Sequence, residues 1–237
     1  MSRQPPLALA LEPSPGFDNF LAADNRELLL VLRQLAEQPQ PGITAIWGPP
    51  ASGKSHLLQA LANRAAEAGH AALYLPLDLL LEQDPAGLEL FAERELICLD
   101  GLERLLGNRP WQEALYGLYN AVQQQAGCLV SASRRPPREL PLELADLQSR
   151  LSWGPCYQLQ PLDHGHKARL LQQRAGELGL QLPEDAAHYL LNRQQRDLAG
   201  LLGLLERLDR ASLAAQRRLT VPFIRQQLGR DAAVEDG

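Results

Sequence analysis

Gly48-Pro49-Pro50-Ala51-Ser52-Gly53-Lys54-Ser55 spells the pattern G-x-x-x-x-G-K-[ST], and the segments on either side decide how the chain folds around it. Before the loop, Ile43 to Trp47 is an apolar run of strand length. After it, Leu57, Leu58, Leu61 and Ala65 recur with helical period. Strand, glycine loop and helix in that order are the context in which this pattern grips phosphate. Glycines let backbone N–H groups close around phosphate oxygens, a lysine neutralises β/γ charge, and a serine hydroxyl ligates Mg2+. The start of the following helix adds partial positive charge. Gly48, Pro49, Pro50, Ala51, Ser52, Gly53, Lys54, Ser55 and the adjoining His56 are therefore the expected cradle for ADP or ATP. The chain has only two lysines, Lys54 and Lys167, so composition alone does not generate the motif.

A phosphate loop needs an acidic residue on another strand to hold the water shell of the metal. Leu96-Ile97-Cys98-Leu99-Asp100 supplies one, four apolar residues ending in Asp100, which pairs with Ser55 as the expected Mg2+ site. Further strands are expected at Ala71 to Leu77 and Cys128 to Ala132, with helices over 24–38 and 110–125. Asp24 or Asn25 caps the first of these. Strands alternating with helices imply an α/β fold with a parallel sheet flanked by helices.

Beyond Pro161 the strand signals stop. Leucine-rich helical segments follow over about 163–179, 184–195, 197–215 and 221–228, a small all-helical domain. Four prolines in residues 1–16 make that stretch an extended tail. The expected division is 1–16 tail, 17–160 nucleotide-binding domain, 161–229 helical domain and 230–237 disordered acidic tail.

A formal charge of −5, from 23 basic and 28 acidic residues, provides no global positive field for DNA. Cys98, Cys128 and Cys156 stand far apart and odd in number, which points to buried free thiols in a reducing cytosol. Leu7 to Leu11 is too short for a signal peptide, and no stretch reaches the length of a membrane span. His164 and His166 lack a partner at ligand spacing and are assigned no site.

Phe17-Asp18-Asn19-Phe20, the glycine loop, the strand ending in Asp100, Ser133-Arg134-Arg135-Pro136-Pro137, Ser149-Arg150-Leu151-Ser152-Trp153-Gly154 and Leu208-Asp209-Arg210-Ala211-Ser212 fall in the order seen in DnaA-like AAA+ proteins. The resemblance covers almost the whole chain. It implies an AAA+ core followed by a helical lid domain. Only about nine residues follow the last expected helix, so no DNA-reading domain of the DnaA kind is expected. Within the branch the chain resembles the Hda type, the DnaA-related regulatory inactivators.

That resemblance implies the remaining roles. Gln4-Pro5-Pro6-Leu7-Ala8-Leu9 looks like the Q-x-x-L-x-L peptide that docks on the DNA polymerase sliding clamp (beta subunit), with Leu7 and Leu9 as apolar anchors and Gln4 at the pocket rim. Arg150 resembles an arginine finger acting in trans on ATP held by DnaA, an effect worth about 10³ to 10⁵ in rate. Arg196 resembles the lid arginine that reaches the phosphates. Phe17, Phe20 and Asn25 are expected beside the base, with core packing of the two Phe as the competing account. The implied function is regulation of replication initiation. With the DNA-loaded clamp, the protein stimulates hydrolysis of DnaA-bound ATP and prevents re-initiation. It would be cytoplasmic at the nucleoid or replisome, reach DNA through the clamp, form a homodimer or higher oligomer and have no membrane role. A DNA helicase loader and an autonomous AAA+ ATPase are the alternatives.

Two departures bear on hydrolysis. ATP-hydrolysing members of the branch usually carry a second acid after the strand-ending Asp; here the residue is Gly101, and Glu103 substitutes only if the strand ends differently. Arg134 stands where the DnaA type tends to have an acidic residue, and with Arg135 and Arg138 it could form a small basic patch. The expectation is tight nucleotide binding with weak turnover.

Overall fold

The computed structural model describes residues 14–193, 198–215 and 219–235. The chain divides into two units. The first takes in the chain up to Phe20, Glu27–Trp47 and Gly53–Gln158; the second takes in Leu21–Arg26, Gly48–Ser52 and everything from Leu159 onward.

The first unit is built on strands β1 (Gly42–Trp47), β2 (Ala72–Pro76), β3 (Leu96–Asp100), β4 (Cys128–Ser133) and β5 (Cys156–Gln158). Among the described residues they form one sheet in the order β2-β3-β4-β1-β5, every pair parallel. Four of these strands are the expected ones. The fifth is three residues long behind Gly154 and Pro155, too short for any periodicity to show.

Helices α1 (Arg26–Glu37), α2 (Lys54–Glu67), the single turn α3 (Leu77–Leu80), α4 (Arg109–Gln124) and α5 (Ala145–Leu151) clothe the sheet. Asn108 caps α4 by accepting from the Trp111 N–H at 3.4 Å, with Pro110 in the first turn where its missing N–H costs nothing. From there Trp111, Leu115, Leu118, Tyr119 and Val122 recur on one face and bury against Ile97, Leu99 and Leu129. Each such leucine contributes roughly 1.5 to 3 kcal/mol by leaving water. Buried Gln112 ties this layer together, donating to the Leu105 carbonyl at 2.9 Å and accepting from the Leu144 N–H at 3.0 Å. Leu57, Leu58 and Leu61 of α2 are fully buried, and α2 packs on β2, β3 and β4.

The second unit carries α6 (His164–Glu177), α7 (Glu184–Arg193), α8 (Leu198–Ala215) and α9 (Val221–Glu235). Asp163 caps α6 through the His166 N–H at 2.7 Å. Leu171, Ala175, Ala187, Leu190, Leu204, Leu208, Phe223 and Ile224 form its core. The last helix runs to Glu235, past the 221–228 read from the leucines, because Asp231-Ala232-Ala233-Val234-Glu235 contains no helix breaker.

Candidate functional site

The glycine loop leaves the end of β1, and Lys54 opens α2. Register sets its neighbours: Trp47 lies opposite Ser133 on β4, and Asp100 at the end of β3 lies opposite Ala132. Loop, Asp100 and Ser133 thus share the carboxyl edge of the sheet, where α/β folds place their ligands.

Gly53 adopts the left-handed backbone, φ +98°, and a Cβ there would stand 2.8 Å from the Phe20 ring. Both constraints demand glycine. The close ring is one expected base neighbour: Phe20 lies on the loop, with the His56 ring centroid 5.6 Å from its own. His56 Nε2 meets the Gly16 carbonyl at 2.9 Å. Phe17 is buried with the Arg33 guanidinium 5.6 Å from its ring centre, which is the core-packing account. Asn25 is 4% exposed and spends its amide on Gln160, accepting from that backbone N–H at 2.7 Å and donating to its carbonyl at 3.0 Å.

Lys54 is 9% exposed. Burial lowers its pKa, while the charges of Glu103 and Asp100 pull it back up and that of Arg134 pushes it down. Glu103 therefore belongs to the site. It arrives although β3 ends at Asp100 as expected. Gly101, at φ 85°, turns the chain into the 3₁₀ segment Leu102–Leu105 and swings Glu103 back toward β4. There it accepts from the Arg134 N–H at 3.1 Å and pairs with the Arg134 guanidinium at 2.9 Å.

Asp100 has a partner that sequence reasoning missed. Tyr74 of β2 donates its hydroxyl to Asp100 Oδ2 at 2.8 Å and is hydrogen-bonded to the side chains of Gln59 and Ser55. Burial, before any of these bonds, pushes the phenol up to about 12. The apolar surroundings of Tyr74 in the sequence gave no sign that its hydroxyl reaches the loop. Ser55 and Asp100 are hard oxygen donors of the kind Mg2+ takes, so they fit that ion; bound there, it would neutralise phosphate charge.

Arg150, near the end of α5, is half-buried at the surface. Its guanidinium lies over the buried ring of Tyr119 and the exposed ring of Trp153. Among the described residues no carboxylate pairs with it.

Comparison with known proteins agrees with this geometry. Domain III of DnaA from Thermotoga maritima superposes with a TM-score of 0.79 at 20% identity, covering 90% of this chain and 95% of that one. AMPPCP-bound DnaA from Aquifex aeolicus gives 0.71 at 22%, over 83% and 65%. A variant of RuvB from Thermotoga maritima gives 0.70 at 18%, over 92% and 73%. At these identities the likeness is one of fold, AAA+ of the DnaA kind. Residues 164–228 match the family model described as the lid domain of Hda. The second unit carries an Hda lid domain.

The Hda lid match spans α6 to most of α9, as the leucine pattern over 161–229 implied. Arg196 falls inside that match but outside the described residues, as do Gln4, Leu7 and Leu9 of the N-terminal peptide. Within the lid, His164 stacks on His188 with centroids 5.2 Å apart and contacts Asn192 at 3.1 Å, while His166 meets its cap Asp163. Among the described residues no group of three or more His, Cys, Asp or Glu side chains could hold a metal.

The cysteines need one correction. Cys98 and Cys128 are buried and their thiols are pushed up by burial, Cys128 to about 11; Cys156 is exposed because β5 is the sheet's edge strand. No helix among the described residues is long and apolar enough to cross a membrane.

Proposed function

We propose that this protein is a DnaA-related regulator of replication initiation that, with the DNA-loaded sliding clamp, stimulates hydrolysis of ATP bound to DnaA. Gly48 to His56 hold ADP or ATP, with Ser55 and Asp100 on the Mg2+ side and Phe20 on the loop next to the base. Nucleotide sets the conformation, and Arg196 of the lid reads it. Gln4, Leu7 and Leu9 tether the protein to the clamp, which raises its local concentration near newly replicated DNA. Arg150 completes the active site of a neighbouring DnaA, and catalysis occurs there.

The observation that carries this reading is Arg150 itself: a guanidinium at the surface, steadied by two rings and held by no carboxylate among the described residues. An arginine built for its own subunit's stability would be paired or buried. A helical lid of the Hda kind behind a DnaA-like fold supports the same conclusion.

The test is turnover of DnaA-bound ATP with and without this protein and DNA-loaded clamp. Stimulation is expected with the wild-type chain and is lost in Arg150→Ala. Stimulation that survives Arg150→Ala sinks the finger. A clamp pull-down should fail for the Gln4→Ala, Leu7→Ala variant while nucleotide binding persists. Binding of a replicative helicase instead of DnaA would favour a loader.

A further inference from the structure

We propose that Tyr74 positions the cation half of the phosphate site, taking the hydroxyl proton of Ser55 and giving its own to Asp100, so that Ser55 turns lone pairs to a divalent ion. This rests on the reading of Gly48 to Ser55 as a nucleotide site.

The argument is proton counting. Tyr74 Oη has one proton, and the 2.8 Å contact with Asp100 Oδ2 uses it, since an ionised carboxylate only accepts. The phenol is also hydrogen-bonded to Gln59 and Ser55. With its proton spent, it must accept in both, from the Gln59 amide N–H and the Ser55 O–H. A serine whose proton points at the phenol keeps only lone pairs for other partners, and lone pairs are what a hard cation binds. The relay has one direction because Asp100 terminates it as the charged acceptor. Burial keeps the phenol neutral, at about 12, so the donor is always present near neutral pH. β2 delivers this side chain from beside β3, where Tyr74 stands opposite Cys98, two positions before Asp100. Partners that orient a metal ligand without touching the metal are worth about 10- to 100-fold in metal affinity.

The experiment is calorimetric titration of the full chain with ADP, once in Mg2+ and once in EDTA, for wild type, Tyr74→Phe, Ser55→Ala and the double variant. The ratio of the two affinities is the Mg2+ enhancement. Tyr74→Phe should cut it about tenfold while leaving the EDTA affinity as in wild type. Ser55→Ala should do the same, and Tyr74→Phe should then add nothing further. Equal loss in Mg2+ and EDTA, with an early melt, would make Tyr74 a packing residue and overturn the relay. An unchanged enhancement in Tyr74→Phe overturns it too, and a larger one would mean the phenol obstructs the ion. In those cases wild-type ADP binding leaves the loop reading intact; a wild-type chain that binds no nucleotide under either condition removes that reading and the relay with it.

Discussion

The guanidinium of Arg150 lies 5.2 Å from the ring centre of Trp153, an indole that is 71% exposed. Tyr119 holds the same guanidinium from beneath at 5.6 Å. An arginine between a buried phenol and an exposed indole keeps its charge at the surface and loses part of its rotamer freedom in advance. Exposed cation–π contacts of this kind are worth about 0.5 to 1 kcal/mol. Trp and Arg side by side are also the composition of interface hot spots.

Trp153→Ala should therefore weaken stimulation of DnaA-bound ATP hydrolysis by a few-fold, while Arg150→Ala abolishes it. Stability should be unchanged in both, because the indole is exposed. Thermal melts and single-turnover hydrolysis on the partner check the pair of variants. A Trp153→Ala protein that stimulates like wild type would show that the guanidinium needs no support.

What the sequence made legible was whatever repeats or is spelled locally. Apolar runs marked β1, β3 and β4, and the glycine pattern marked the loop. Tyr74 and Glu103 were hidden for a different reason. Each reaches the site by a three-dimensional step that offsets do not encode: Tyr74 through parallel pairing of β2 with β3, and Glu103 through a turn started by a left-handed glycine. Gly101 reads as a lost acid in the sequence, and in the fold it is the residue that turns Glu103 inward. Asn25, read as a helix cap and a neighbour of the base, spends both amide ends on Gln160, which is 135 residues away.

Glu103 is held by Arg134 through backbone and side chain alike, so it is an acid in the site whose lone pairs are already taken. Arg134→Ala should release it. Intrinsic ATP turnover of the isolated protein should then rise up to about tenfold, a small part of what a placed general base supplies. Glu103→Gln in the same background should return turnover to the wild-type level. A rise that persists with Gln at 103 would mean that Arg134 acts on the site in some other way.

Asn25 is a clean case for a stability effect. Removing its amide leaves a buried N–H and a buried C=O of Gln160 without their partner. Asn25→Ala should cost about 1 to 3 kcal/mol, read from urea unfolding. Loss of nucleotide affinity with full stability would instead restore a direct role beside the base.

A last prediction concerns pH. Both ring nitrogens of His70 face acceptors, Nε2 the Glu37 carbonyl at 2.9 Å and Nδ1 the Glu95 carboxylate at 2.8 Å. The cationic ring can donate to both, so its pKa is raised, first by the Glu37 carbonyl and then by Glu95. Glu95 is lowered, first by the Ala71 N–H and then by His70. A raised histidine stabilises fully below its ordinary value of 6.5, and that contribution is lost as pH rises through the folded pKa. A lowered glutamate stabilises above its ordinary value of 4.5, and the contribution is lost as pH falls through the folded pKa. The two overlap between those ordinary values, so the link between the end of α1 and the start of β3 is strongest in mildly acidic solution. The stability gap between wild type and His70→Ala should shrink as pH is raised from about 6 to about 8, where histidines discharge. Urea midpoints at the two pH values measure it, and a gap that stays constant or widens would mean that the ring is neutral in the folded protein throughout.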